Sequence, residues 1–346
     1  MISCPTVRPT DFQLSPTIPL VPFNFMLNDS GVVETGRPIY NDAKHKAPLD
    51  ENLYRPDERV LGFLKAQIGF GIDDDEALKQ HIFTVQRKAY DIYGYPCIRQ
   101  FGFIDPQISE LPVYPRVLQL GREREDGILV DIGCGFGTDI RKAVADGFPS
   151  KGAIACDLRK EFWDYGHELF KTTEETCPIK FIHENVFDVA APDPHSPLYT
   201  TPSTHILPES LRSLASLSTL RGHISAIHAS CFFHLFGENE QLQLAKILAS
   251  LLSPLPGSVI FGTHAGLPEQ GLRMIPRTDV GVFCHSPQSW RQLWDGTVFA
   301  KGSVQADAEL VEIHGTDSRV TDARNDFKLF RLVWSITRVE SSQSYE

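Results

Sequence analysis

The sequence predicts a doubly wound α/β fold, with a mostly parallel sheet of seven strands, helices on both faces and a helical lid before it. Three observations predict it. From Gly127 onward, short apolar runs alternate with amphipathic stretches, the pattern of β-α-β units joined by right-handed crossovers. The first apolar run, Ile128 to Ile132, feeds a glycine loop and then a helical stretch, which places a small-molecule ligand at the carboxyl end of such a sheet. Between Glu51 and about Tyr93 the periodicity is helical instead.

Taken in order, residues 1–50 are rich in Pro, Asn, Asp and Gly and are expected to form an extended arm. Residues 51–126 are expected to form a helical lid or substrate segment. Within it Leu78, Ile82, Val85 and Ala89 recur at three- and four-residue steps, behind acids suited to a helix N-terminus. Tyr93-Gly-Tyr-Pro ends that helix, and a second, short one is expected after Pro112 or Pro115. Residues 127–340 carry the core. Its strands are expected at Ile128 to Ile132, Gly152 to Cys156, Ile179 to Ile182, His223 to His228 and Ser258 to Phe261, with two late ones near Ala308 to Ile313 and Phe330 to Thr337. The last two have little between them and suggest an antiparallel edge, with Phe330 to Thr337 as its outer member. Helices are expected at Asp139 to Asp146, Phe162 to Phe170 and Glu238 to Leu252, the last with Leu242, Ala245, Leu248 and Leu252 inward. Another is expected at Ser286 to Trp294, opened by a Ser-Pro cap. Residues 190–221 are an insertion with a weak helix at Leu211 to Leu220.

Composition narrows the function. The 346 residues are 42% hydrophobic and 22% charged, ordinary for a globular enzyme. A net charge of −11 with no basic run argues against a nucleic-acid partner, since phosphate binding needs a basic footprint. The seven cysteines never fall in CxxC spacing, so neither a metal site nor a disulfide framework is expected, and a reducing compartment fits. There is no signal-peptide pattern, and no apolar run approaches the roughly 20 residues of a spanning helix. A cytoplasmic protein without membrane attachment is expected.

The sharpest motif is Val130-Asp131-Ile132-Gly133-Cys134-Gly135-Phe136-Gly137-Thr138-Asp139. Glycine lets backbone N–H groups approach a ligand with no Cβ in the way. A dinucleotide fingerprint wants GxGxxG, but here the spacing is GxGxG. Asp131 and Asp139 flank the loop; they would repel a pyrophosphate and favour a cofactor bearing an ammonium and a sulfonium. S-adenosylmethionine fits that charge pattern. The bland alternative is a tight connection. Asp157 and Leu158 follow the next strand, where an acid receives a ribose diol, unless Asp157 merely caps a helix. Asn185 with Val186 follows the third strand and would read an adenine edge, unless it is a simple turn. Ser230 follows the fourth strand beside the expected methyl position, with Phe232 and Phe233 either lending a cation–π face to a sulfonium or filling core.

At these motifs the sequence resembles class I S-adenosylmethionine-dependent methyltransferases, with their Rossmann-like sheet. Pro256-Gly257-Ser258 and the final strand pair extend the likeness over Gly127 to Val339. More narrowly, Gly137-Thr-Asp-Ile-Arg-Lys, Phe162-Trp-Asp, His228-Ala-Ser-Cys-Phe-Phe-His-Leu-Phe, Tyr95-Pro-Cys-Ile-Arg-Gln-Phe-Gly-Phe and Tyr114-Pro-Arg-Val-Leu are similar to a fungal group. That group includes the carboxyl methyltransferases of polyketide–terpenoid (meroterpenoid) pathways. The resemblance implies cofactor contacts at Asp131, Gly133, Asp157, Asn185 and Val186, with Gly135, Gly137, Leu158 and Ser230 beside them, a small-molecule acceptor and a homodimer. It departs at Asn185, where many class I enzymes carry Asp.

An acceptor carboxylate is already ionised and needs no base, whereas a phenol usually benefits from one. No His/Asp or His/Glu base signature stands out, although His228, His234, His264 and His285 follow strands. Arg99, Ser230 and His234 are the catalytic candidates, Arg99 as a partner for an anionic acceptor or as lid packing. A cofactor-binding regulator and a catalyst of a non-methyl rearrangement on the same fold remain open alternatives.

Overall fold

The computed structural model describes residues 46–68, 74–189, 196–203, 211–274, 281–313 and 328–340. All belong to one compact unit, Arg37–Glu346. Most of the expected arm lies outside these residues, as do 190–195 and 204–210 of the expected insertion.

The helical segment before the sheet, expected as a lid, contains α1 (Glu58–Ile68), α2 (Asp75–Ile92), α3 (Pro96–Arg99) and α4 (Tyr114–Glu123). Asp74 caps α2, its carboxylate accepting from Ala77 N at 3.1 Å, and Asp75 and Glu76 follow where the helix dipole favours acids. Leu78, Ile82, Val85 and Ala89 are fully buried, as their spacing predicts. They join Phe63, Phe83, Phe101 and Phe103 in a core shared with Phe136, Phe162 and Phe170 of the sheet domain. The lid is thus packed into the body along one aromatic face.

The sheet is built from β1 (Leu129–Ile132), β2 (Ala153–Asp157), β3 (Lys180–His183), β4 (Ala226–His228), β5 (Val259–Gly266), β8 (Val304–Ile313) and β9 (Leu329–Arg338), in the order β3-β2-β1-β4-β5-β9-β8. Strands β1 to β5 run parallel, and β9 is antiparallel to both β5 and β8. Helices α5 (Thr138–Ala145), α6 (Lys160–Phe170), α7 (Glu238–Leu251) and α8 (Pro287–Trp294) accompany it. Strand order reverses between β1 and β4, the switch point at which doubly wound sheets open a crevice.

Four expectations need correction. The outer strand is β8, because β9 inserts between β5 and β8 and pairs on both sides. A separate hairpin, β6 (Gly271–Met274) with β7 (Gly281–Cys284), was not foreseen; its strands are only four residues each. The weak helix at Leu211 to Leu220 reduces to a 3-10 turn at Leu217–Leu220. In α7, Leu242 is only half-buried, while Gln241 is fully buried with Nε2 donating to the carbonyls of Phe236 and Phe283. A hydrophobic pattern cannot register a polar group buried on hydrogen bonds to two backbone carbonyls. The Ser286 cap of α8 is present as expected, accepting from Ser289 N at 3.1 Å.

Candidate active site

The glycine loop joins β1 to α5, and Gly133, Gly135 and Gly137 all have left-handed backbone (φ 68°, 53° and 69°). The outer two have further reasons to be glycine. A Cβ on Gly133 would lie 2.6 Å from the Phe232 ring, and one on Gly137 would lie 2.4 Å from the Trp163 ring. A Cβ on Gly135 would meet no protein atom within 4 Å. Asp157, ending β2, clamps this middle glycine: Oδ2 accepts from Gly135 N and Oδ1 from Arg159 N, each at 2.8 Å. Burial raises its carboxyl pKa, partly opposed by those two N–H donors. A carboxylate offers about four acceptor positions, so two bonds leave capacity for a diol.

The lid is fastened to the same loop. Thr138 Oγ1 donates to Phe103 O at 2.6 Å, and Asp139 Oδ1 accepts from Ile108 N at 2.8 Å. Asp139, expected to face the cofactor, therefore also holds the lid, and burial pushes its carboxyl up to about 6. The segment 95–97 lies beside α6 and the end of β2: the Tyr95 ring centre is 5.9 Å from that of Phe162, and Asp157 acts on both Tyr95 and Cys97. Burial pushes the Cys97 thiol up to about 12, with Cys231 and Asp157 also acting on it, yet Cys97 and Cys231 are exposed. Burial also raises Tyr95, which is hydrogen-bonded to Arg159, and raises Cys134, on which Asp157 and Asp131 act. The Arg159 guanidinium lies 4.5 Å from the Tyr93 ring centre, adding an aromatic wall.

At the switch point the penultimate residue of β1 and the last of β4 are paired in register, Asp131 against His228. Both are buried. His228 Nδ1 lies 2.8 Å from Asp131 Oδ1, and its Nε2 lies 2.7 Å from Ser230 Oγ. Thr263 N, on β5, also donates to Ser230 Oγ at 3.2 Å. Burial disfavours the imidazolium, but Asp131 and then Asp139 outweigh it and raise the His228 pKa. The sequence puts His228 at the end of the expected fourth strand but shows no His/Asp signature. The signal was available in the adjacency of the first and fourth strands, whose carboxyl ends are neighbours in this topology.

The remaining expected residues fall as follows. Asn185 Oδ1 caps the turn Val186–Asp188 by accepting from Phe187 N at 3.2 Å, and Val186 is buried beside it. Leu158 O accepts from His183 Nε2. Arg99 Nε donates to Pro48 O at 2.8 Å, holding the chain that leads into the lid. His234, in the turn Phe233–Leu235, acts on His264 and so belongs to the neighbourhood of the aromatic core. Phe233 is fully buried against Trp290, Trp294 and Trp334, which settles it as core. Among the described residues no group of three His, Cys, Asp or Glu is placed to hold a metal, and no helix is long and apolar enough to cross a membrane.

Three features fit S-adenosylmethionine. Gly135 presents backbone with no side chain above it, Asp157 keeps acceptor capacity at the end of β2, and Asp131 Oδ2 is a buried anionic oxygen without a protein donor. A glycine loop after β1, an acid after β2 and this strand order define a Rossmann-like S-adenosylmethionine-dependent methyltransferase.

Comparison with known proteins gives the family. A profile described as "Meroterpenoid methyltransferase N-terminal domain" matches residues 49–104, within the lid. The chain is 30% identical to O-methyltransferase phiE of Fungal sp. (strain ATCC 74256) over 231 residues, covering 66% of this chain and 68% of that protein. It is 29% identical to the asnovolin E/chermesin D methyltransferase nvfJ of Aspergillus novofumigatus over 75% of this chain and 82% of the relative. A solved Burkholderia thailandensis 1,6-didemethyltoxoflavin-N1-methyltransferase aligns with a TM-score of 0.44 at 9% identity, over 79% of this chain and 93% of that one. The chain belongs to the family of fungal secondary-metabolite O-methyltransferases of the meroterpenoid type. It is an S-adenosylmethionine-dependent enzyme that methylates an oxygen of a small molecule.

Proposed function

We propose that the enzyme methylates a carboxylate of a polyketide–terpenoid intermediate in the cytoplasm, giving a methyl ester, with the cofactor along Gly133 to Gly137 and the acceptor between that loop and the Tyr95–Cys97 turn. In the bound state S-adenosylmethionine supplies an electrophilic methyl group on a sulfonium. The protein's own task is to align the acceptor and keep water out. Gly135 and Asp157 form the cradle, Asn185 and Val186 take the adenine end, and Tyr93, Tyr95 and Arg159 wall the acceptor side.

The observation that carries the carboxylate reading is the state of His228. Both ring nitrogens are engaged, and the charged groups acting on it are two acids that favour its cation. With Nδ1 engaged by Asp131 and Nε2 by Ser230, His228 has neither ring nitrogen left over for a phenol, whereas a carboxylate needs no base. The names of the relatives, which include an asnovolin E/chermesin D methyltransferase, support the substrate class.

The test is to incubate purified enzyme with methyl-labelled cofactor and paired terpenyl carboxylic acids and phenols. The expected product loses its label as methanol in mild alkali, as esters do. An alkali-stable label marks an aryl ether and overturns the carboxylate assignment. Conversion of a substrate with no label transferred overturns the methylation itself.

A further inference from the structure

We propose that Ser230 is a specificity-determining contact of the acceptor, its hydroxyl donating a hydrogen bond to the acceptor's ionised oxygen, with Asp131 and His228 as the positioning residues that hold it in the donating sense. The inference rests on the carboxylate reading and names the contact that reading requires.

A serine hydroxyl has one proton to give and two lone pairs to fill. Thr263 N donates to Ser230 Oγ at 3.2 Å, and His228 Nε2 lies 2.7 Å from it. An imidazolium at His228 donates at both nitrogens, to Asp131 Oδ1 and to Ser230 Oγ. Both lone pairs of Ser230 are then taken, so its proton must be given away from the strand ends. Ser230 is half-buried and followed by exposed Cys231, which with Asp157 acts on Cys97 of the segment before the sheet. The hydroxyl therefore donates into the space where the acceptor lies.

A neutral imidazole would reverse this. Nδ1–H would still go to Asp131, Nε2 would accept from Ser230, and Ser230 would present a lone pair suited to an acceptor hydroxyl. What faces His228 decides between the two. The charged groups acting on it are Asp131 on β1 and Asp139 on α5, both acids, while from β5 the apolar Phe261 ring packs at 5.2 Å. Nothing in that set favours the neutral form except burial itself.

The position is also rigid. Cys231 has left-handed backbone (φ 53°), and its N–H donates to Thr263 O at 2.6 Å. The chain thus reverses directly after Ser230 and is pinned to β5 on both sides. With the acceptor ionised, the reaction balances without a proton transfer: an oxygen lone pair forms the O–C bond, the C–S bond breaks and its pair stays on sulfur. A donor to the acceptor oxygen serves alignment, and it discriminates against any acceptor oxygen that must itself donate.

The test uses the full chain and a carboxylic acid that it methylates. Ser230→Ala is expected to raise the KM for that acid about 10- to 100-fold, as for a hydrogen bond to a charged group. The Kd for S-adenosylhomocysteine is expected to stay within about twofold, and Ser230→Thr is expected to restore most of the KM. In the wild type, kcat/KM for the acid should fall as pH rises through the raised His228 pKa. In His228→Gln, whose amide donates at any pH, that basic limb should vanish. A wild-type KM in Ser230→Ala overturns the proposal, as does a wild-type kcat/KM that climbs with pH. If His228→Gln fails to fold, the serine variants and the wild-type profile decide alone. Alkali lability of the product is read separately, so failure of the carboxylate reading is not confused with failure of this contact.

Discussion

Alanine at Gly135 and at Gly137 separates the two roles of the loop. Both glycines are left-handed, so an alanine at either costs about 1–2 kcal/mol of backbone strain. At Gly137 the new Cβ also falls 2.4 Å from Trp163 Cζ3. That ring cannot retreat easily, since it is buried and stacked on Phe181 at 5.1 Å with the Arg141 guanidinium 5.3 Å from its centre. Overpacking of that kind adds about 1–3 kcal/mol. Gly137→Ala is therefore expected to lose about 2–5 kcal/mol in urea denaturation, and Gly135→Ala about 1–2 kcal/mol. Binding should rank the other way. The Cβ at Gly135 meets no protein atom within 4 Å and projects where the cofactor backbone contact is proposed, so calorimetry should show at least about a tenfold weaker Kd for S-adenosylhomocysteine. Folded Gly137→Ala should stay within about threefold of wild type. Unchanged affinity in Gly135→Ala, or equal stability losses in the two variants, would refute the assignment of the loop.

The aromatic core makes stability depend on pH. Burial depresses the His285 pKa from 6.5 to about 4, so between those values the unfolded chain binds a proton that the folded chain does not. Stability should then fall with decreasing pH by about 1.4 kcal/mol per unit over that window, and His285→Asn should flatten the slope by that amount in denaturation series run from pH 4 to 7. Arg99→Ala should change the acceptor KM by less than about threefold, because its Nε is committed to Pro48 O; a tenfold rise in steady-state assays would return Arg99 to the acceptor site. Glu184→Ala should cost about 1–3 kcal/mol and expose the 211–221 segment to limited proteolysis. Its carboxylate accepts from Ser216 Oγ at 2.5 Å and Leu217 N at 2.9 Å, and equal protease resistance would count against that role.

The parallel half of the sheet was readable because its strands carry short apolar runs closed by a glycine loop or a polar residue: Ile132 before Gly133, Cys156 before Asp157, Ile182 before His183. The far side was less so. Both β8 and β9 run ten residues and alternate in burial, so their patterns cannot say which lies outside. Pairing with β5 decides it, and that is a long-range contact. The β6–β7 hairpin escaped because four-residue strands carry too little periodicity to separate from loop.

The site divides along the same line. Gly133, Gly135, Gly137 and Asp157 were legible because their roles are local: a left-handed backbone, a close neighbour, an acid after a strand. His228 was not, because its character comes from Asp131, 97 positions away in sequence. The electrostatic argument drawn from the loop also changes once that pair is seen. Asp131 does not face the cavity as a free carboxylate; one oxygen is bonded to His228, leaving Oδ2 as the buried acceptor without a protein donor. Under the proposed cofactor placement, the acids beside the loop are Asp157 and Asp131, while Asp139 is committed to Ile108 N. Asp131 thus holds, through His228, the serine proposed to touch the acceptor, while its second oxygen stays buried without a protein donor. Asp131→Asn tests that coupling directly. The amide would keep packing but weaken the bias toward imidazolium, so both the Kd for S-adenosylhomocysteine and the basic limb of kcat/KM should move together. A change in one with the other intact would show that the two sides are independent.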